Sequence, residues 1–426
     1  MPEPNSITAP SISTIADLIR GHYREEISLA VKTGLAVIAS LSLKGRDHCL
    51  VLVFEGGSGR GKSIIVRVLM SDRPRTEAFL ERADDFTPAS FVSHSANHSA
   101  EELAEIDLLP RIKGKVMLTK ELAPLFRDDE KVLRQNFARL TSVLDGDGYR
   151  TNSGVHGARG YIGRYVFNWI GATTPIPQRT HEVMSQLGNR ILFYEVAGED
   201  FSEEELMEFA ENYGSADAVE GCRKITNDFI EAHFRRHPVD SVEARSIAMP
   251  QDLLRELVRY AELISHGRVE IFRNGNGDLE PSLPEGPQRI ILLLQTVAKG
   301  LALLEGRTVV TSEDLEVIRH IAFSSIPQGR RELLQAVLGE GGNMNARQVD
   351  MALDTSRPTT INRMKELGAT GICEFTPGTN NTSTPGEIAL AQDWEWLLDA
   401  TTPLNDSGMS AEAAEVMPSA DAPAST

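Results

Sequence analysis

The stretch HCLVLVFEGGSGRGKSIIVRVLM, residues 48–70, limits what this chain can fold into more than any other. Its first half is a run of aliphatic and β-branched residues that reads as a buried strand, and from Lys62 the apolar spacing becomes helical. Between them Gly56-Gly57-Ser58-Gly59-Arg60-Gly61-Lys62-Ser63 matches G-x-x-x-x-G-K-[ST] at every fixed position. Glycines let the backbone curl so that successive N–H groups point inward and form a nest for phosphate oxygens at the start of a helix. Gly56 through Ile64 are therefore the expected binding residues for the triphosphate of ATP, with Lys62 reaching the β- and γ-phosphates and Ser63 ligating Mg²⁺. The plain alternative is a glycine-rich turn with an exposed lysine. The strand and helix on its two sides argue against that.

Three more strands follow in sequence: KGKVMLTKEL (113–122), RYVFNWIGATT (164–174) and NRILFYEV (189–196). Helical segments separate them, among them DDEKVLRQNFARLTSVLDG (128–146), and this alternation predicts an α/β unit with a parallel sheet in three αβα layers over residues 49–200. Residues 1–48 hold a leader and a pair of helices. Residues 201–326 show only amphipathic helical patterns and are expected to be all helical, with Thr311 as an N-cap and Asp314 three residues later. Residues 327–398 give three short helices followed by two candidate strands, the order of a winged helix-turn-helix. Residues 399–426 are small, polar and proline-containing, and are expected to be disordered.

At 426 residues the chain has room for two to four such units. Its formal charge of −18 works against nonspecific attraction of the whole molecule to nucleic acid or an anionic membrane, so any DNA-binding face must be local. Cys49, Cys222 and Cys373 have neither disulfide nor zinc spacing, and a reducing, cytoplasmic setting is expected. No signal peptide and no membrane-length apolar run is visible. His94 and His98 stand four apart without a third ligand nearby, which reads as a solvated loop.

Binding becomes turnover only with a second acid near the metal and the attacking water. The end of MLTKEL offers Glu121, with Lys120 where a second acid is usual. Either Glu121 positions the water and the metal acid is missing, or Glu121 serves the metal; a solvated glutamate at a strand end is the third option.

Taken together, these motifs resemble the AAA+ ATPases over about residues 15–326. The resemblance implies a P-loop core with a helical lid, and assigns Thr174 in WIGATTPIP as a polar sensor, with Asn168 as the alternative. It implies that Arg190, before the strand NRILFYEV, is an arginine finger for a neighbouring subunit's nucleotide, and that Arg289, early in a lid helix, is a second sensor. A strand cap or a surface ion pair is the alternative for Arg190, and an ordinary surface arginine at the start of a core helix is the alternative for Arg289. The leader, the lid and the appended winged helix look closest to minichromosome-maintenance-type helicases. The loop GDGYRTNSGVHGARGY is similar in place to their DNA-contacting hairpin, with Arg150 and Arg159 available to a strand. In the winged helix, Arg357, Thr359, Thr360, Asn362, Arg363 and Lys365 are available to phosphates or bases, although acids and bases are balanced across that unit. The chain departs from those helicases in lacking their large N-terminal DNA-binding domain and zinc ligands, and in its altered acidic motif.

The resulting expectation is an ATP- and Mg²⁺-dependent hydrolase that forms a homo-oligomeric ring and translocates on or remodels single- or double-stranded DNA, away from membranes. Two other readings stay open: an ATP-gated assembly switch with weak hydrolysis, and a protein-remodelling ATPase.

Overall fold

The computed structural model describes residues 10–400 apart from 94–97, 127–128, 154–156, 187–189, 197, 199–201, 205, 208–215, 276–277 and 379–384. In chain order the strands are β1 (Leu43–Lys44), β2 (Leu50–Glu55), β3 (Leu80–Arg82), β4 (Val116–Thr119), β5 (Gly148–Ser153), β6 (Gly157–Ile162), β7 (Asn168–Thr173) and β8 (Ile191–Glu195). They continue with β9 (Val242–Glu243), β10 (Ile271–Arg273), β11 (Leu279–Pro281), β12 (Asn343–Asn345), β13 (Cys373–Thr376) and β14 (Glu387–Leu390).

Every residue of β2 is buried, as a strand must be when helices cover both faces of a parallel sheet. The sheet has five strands in the order β3-β4-β7-β2-β8, all parallel. Alternate residues of β2 serve different layers. Leu50, Leu52 and Phe54 pack with the helices Ile12–Arg20, Glu25–Ala39 and Lys62–Leu69, while Val51 and Val53 pack with Leu109, Phe137 and Leu140 on the other side. This is the three-layer arrangement expected from the sequence. The edge strand β3 was not expected; only one of its three residues is buried, too short a pattern to register as a strand.

The segment 149–160, expected as a hairpin or loop, is the antiparallel hairpin β5–β6. Among residues 201–326 lie the helices Ala216–Arg236, Gln251–Gly267, Gln288–Leu304 and Ser312–Ser324. Thr311 and Asp314 form a reciprocal capping box on the last of these. The expectation of an all-helical unit needs correction: β10 and β11 pair as a hairpin, and β9 pairs in parallel with β1. These strands are two or three residues long, too brief for an alternating pattern to stand out. The helix expected around SEEELMEFAENYG lies largely outside the described residues.

Three helices, Gln328–Gly339, Ala346–Leu353 and Arg357–Ala369, precede the antiparallel pair β13–β14, and β12 joins the free side of β14. This part is not a loosely tethered module. Its core residues Leu333, Leu334 and Val337 belong to the same apolar cluster as Leu50 and Leu294. Trp396 packs edge-on against Tyr260, and the buried Arg330 guanidinium donates to the carbonyls of Gly267 and Val269. The expected disordered tail, 401 onward, lies outside the described residues. Among the described residues no helix is long and apolar enough to cross a membrane.

Candidate functional site

Because the sheet is parallel, the carboxyl ends of its strands lie along one edge, the position at which α/β sheets bind ligands. There β2 opens into the glycine loop, β4 into Lys120-Glu121 and β7 into Thr174. The amide of Gly56 donates to Thr173 O at 3.3 Å, and that of Leu122 to Ala172 O at 2.7 Å, which ties the three strand ends together. Gly61 has φ +83° and caps the helix Lys62–Leu69; a Cβ there would sit 2.5 Å from Cδ1 of Ile27. Only glycine takes this left-handed conformation without strain.

Among the described residues, the amides of Gly57, Ser58, Gly59, Gly61, Lys62 and Ser63 donate to no backbone carbonyl. Part of this is the ordinary deficit of a helix start, and the glycine loop adds to it. Lys62 is 6% exposed, and its ammonium donates to Gly57 O within the loop. Burial lowers its pKa, and the carboxylates of Glu121 and Glu55 act in the opposite sense. Ser63 is exposed at the helix start, and Arg60 donates to Gly198 O at 2.5 Å.

Glu121 is exposed beyond β4 and accepts the Ala123 amide at 2.8 Å, capping the short helix Ala123–Phe126. Lys120 extends toward β3 instead, with Nζ 3.5 Å from Asp84 Oδ2. Thr174 is half-buried immediately after β7. Asn168, the alternative sensor, is at the other end of that strand. There it receives Arg46 at 2.8 Å and donates to Val37 O and Ser40 Oγ, so it is a structural residue.

Arg190 and Arg289 are brought together, at the edge of the sheet opposite the glycine loop. Arg190 precedes β8, is 8% exposed, and donates from Nε and Nη2 to Asp145 Oδ1 at 2.9 and 2.7 Å. Arg289 Nη2 is 3.7 Å from the same oxygen. Six residues of β2 separate this edge from the loop, roughly 20 Å at about 3.3 Å per residue. Within one chain neither arginine reaches the loop.

The hairpin divides its two arginines. Arg150 stands opposite Gly160 and Arg159 opposite Thr151, so the side chains project from opposite faces. Arg150 is exposed on the side of Ile162, itself 74% exposed. Arg159 shares the inner face with Tyr161, whose hydroxyl donates to Asp107 Oδ2 at 2.8 Å, and its Nε is buried without a hydrogen-bond partner. In the helix Arg357–Ala369, Arg357 pairs with Asp350 at 2.7 Å, Arg363 with Glu332 at 3.1 Å, and Asn362 accepts from Arg273. Thr360 is buried, whereas Thr359 and Lys365 are exposed.

His94 lies outside the described residues; His98 is 3.7 Å from Glu102. Among the described residues no group of three or more His, Cys, Asp or Glu is placed to hold a metal ion by itself.

Sequence reading overlooked Glu55, the last residue of β2. It is 4% exposed, and its Oε1 accepts the Ile176 amide at 3.0 Å. Burial raises its pKa, against the pull of that amide and of Arg331. The available signal was a charge ending an otherwise apolar strand directly before the loop. Comparison with known protein families finds no family that matches this chain. No curated protein matches it either.

Proposed function

We propose that the chain is a P-loop ATPase of the AAA+ type that binds Mg²⁺-ATP at Gly56–Ile64, with a helical lid and a C-terminal winged helix, and uses hydrolysis to move on or remodel DNA. The observation that carries this reading is the cradle of unpaired amides around buried Lys62 at the carboxyl edge of a parallel sheet. Such amides, a helix start and one ammonium favour a polyphosphate. The donor set also fits the metal: Ser63 Oγ and the Glu121 carboxylate are hard oxygen ligands from two neighbouring elements, and Mg²⁺ takes few protein ligands beside phosphate oxygens. Bound there, Mg²⁺ would neutralise charge on the β- and γ-phosphates.

The chain's own residues divide the work. The loop amides and Lys62 hold the phosphates, Glu121 orients the attacking water, and Thr174 donates a hydroxyl at the neighbouring strand end. Arg190 and Arg289, on the opposite edge, serve the nucleotide of an adjacent copy in a homo-oligomeric ring. Arg150, on the solvent side of the hairpin, is the preferred DNA contact.

Lys120 favours a second reading, an ATP-gated switch. Its ammonium stands where a metal-positioning acid is usual and extends toward Asp84. Turnover measured with and without single- and double-stranded DNA separates the two. DNA-stimulated hydrolysis supports the motor; tight ATP binding with negligible turnover in every condition supports the switch.

A further inference from the structure

Glu55 and Glu195 end adjacent parallel strands and stand directly opposite each other in register, so two carboxylates meet on one face of the sheet. The Arg331 guanidinium lies near both of them. Arg331 comes from the helix Gln328–Gly339; its side chain is 3% exposed, with Nη2 2.5 Å from Glu195 Oε1 and Nη1 3.8 Å from Glu55 Oε2. Nη1 also donates to Ser324 O at 3.1 Å, which fixes the guanidinium to the end of the helix Ser312–Ser324. Glu55 directly precedes Gly56, the first residue of the glycine loop, and Lys62 is one of the cations acting on it.

Lys62 donates to Gly57 O in the loop that follows Glu55, and the charges of Glu121 and Glu55 both act on it, so carboxylates compete with a phosphate for its ammonium. Its ammonium can neutralise Glu55 or a phosphate, and a buried carboxylate without another counter-charge would hold it strongly. We infer that Arg331 is a positioning residue for the nucleotide loop: by supplying Glu55 with a counter-charge from the C-terminal part of the chain, it leaves Lys62 free for phosphate. The C-terminal part thereby sets the loop's affinity without touching the ligand. This inference rests on the proposed ATP site.

Arg330, the adjacent residue, is the natural control. It is equally buried, but it donates to Gly267 O and Val269 O, away from the loop. Titration calorimetry with Mg²⁺-ATP on the full chain tests the idea. Arg331→Ala is expected to weaken binding at least tenfold, Arg331→Lys to recover most of that loss, and Arg330→Ala to lower thermal stability while leaving affinity within twofold of wild type. If Arg331→Ala fails to fold, the double variant Arg331→Met/Glu195→Gln removes one charge of each sign and should fold, yet still bind ATP at least tenfold more weakly, because Glu55 again depends on Lys62. Wild-type affinity in that double variant, or equal losses from Arg330→Ala and Arg331→Ala, would overturn the inference. A wild-type chain that binds Mg²⁺-ATP no better than Lys62→Ala would instead overturn the ATP site itself.

Discussion

His181 shows how a single side chain couples this core to pH. It is buried against Phe193, its Nδ1 has no hydrogen-bond partner, and the charges of Arg268, Arg330 and Arg331 act on it. Burial, with those three cations, pushes its pKa down to about 3. The folded state therefore refuses a proton that the unfolded chain accepts below its ordinary value of about 6.5. Stability is fully present above that value and is lost as pH falls toward 3, by about 2 kcal/mol at pH 5 from this residue alone. Chemical denaturation of wild type and His181→Phe at pH 7.5 and 5 checks the sign, since the variant should lose less stability between the two. An equal loss would show that His181 is not the group responsible. The same scale shows what a sequence can and cannot display. The strand, glycine loop and helix start around Lys62 and Ser63 were legible because their pattern is fixed along the chain. Arg331 was not, because its partners Glu55 and Glu195 are 276 and 136 positions away, and only the folded sheet puts them side by side.

At the scale of elements, long patterns were readable and short ones were not. The strand β2, the helix Lys62–Leu69 and the capping box at Thr311 follow from local chemistry that repeats over a turn or more. The strands β3, β9, β10 and β11 have two or three residues each and owe their existence to the partner beside them. The hairpin β5–β6 was legible as a turn-rich segment, but which face each arginine occupies depends on register, and a shift by one residue reverses it. That register separates two residues that look equivalent in sequence. Arg150→Glu should weaken binding to single-stranded DNA and reduce the salt dependence by about one contact's worth, whereas Arg159→Gln should change DNA affinity less and stability more. Fluorescence anisotropy over a range of salt concentrations measures the first effect, and thermal melting the second. Equal effects on DNA affinity would contradict the assigned register as the source of any DNA contact.

For the whole molecule, the opposite placement of the glycine loop and the Arg190–Asp145–Arg289 cluster is the strongest argument for assembly. Under the proposed ATPase reading, a phosphate cradle on one sheet edge and Arg190 and Arg289 on the other complete a site only between copies arranged head to tail, as in a ring. Arg190→Ala should bind Mg²⁺-ATP normally and hydrolyse it on the order of 10³-fold more slowly. Mixing it with Lys62→Ala, whose Arg190 is intact, should restore part of the turnover, and an inactive mixture would place Arg190 outside any shared site. Sequence resemblance suggested the arginines' roles, but only the parallel direction of β2 and β8 shows that one chain cannot bring them to its own loop. All of this depends on the loop binding a triphosphate. The direct measurement is calorimetric titration of the purified chain with ATP and Mg²⁺, beside Lys62→Ala. One ATP bound per wild-type chain and none by the variant is the predicted result; equal binding by both, or none by either, would contradict it.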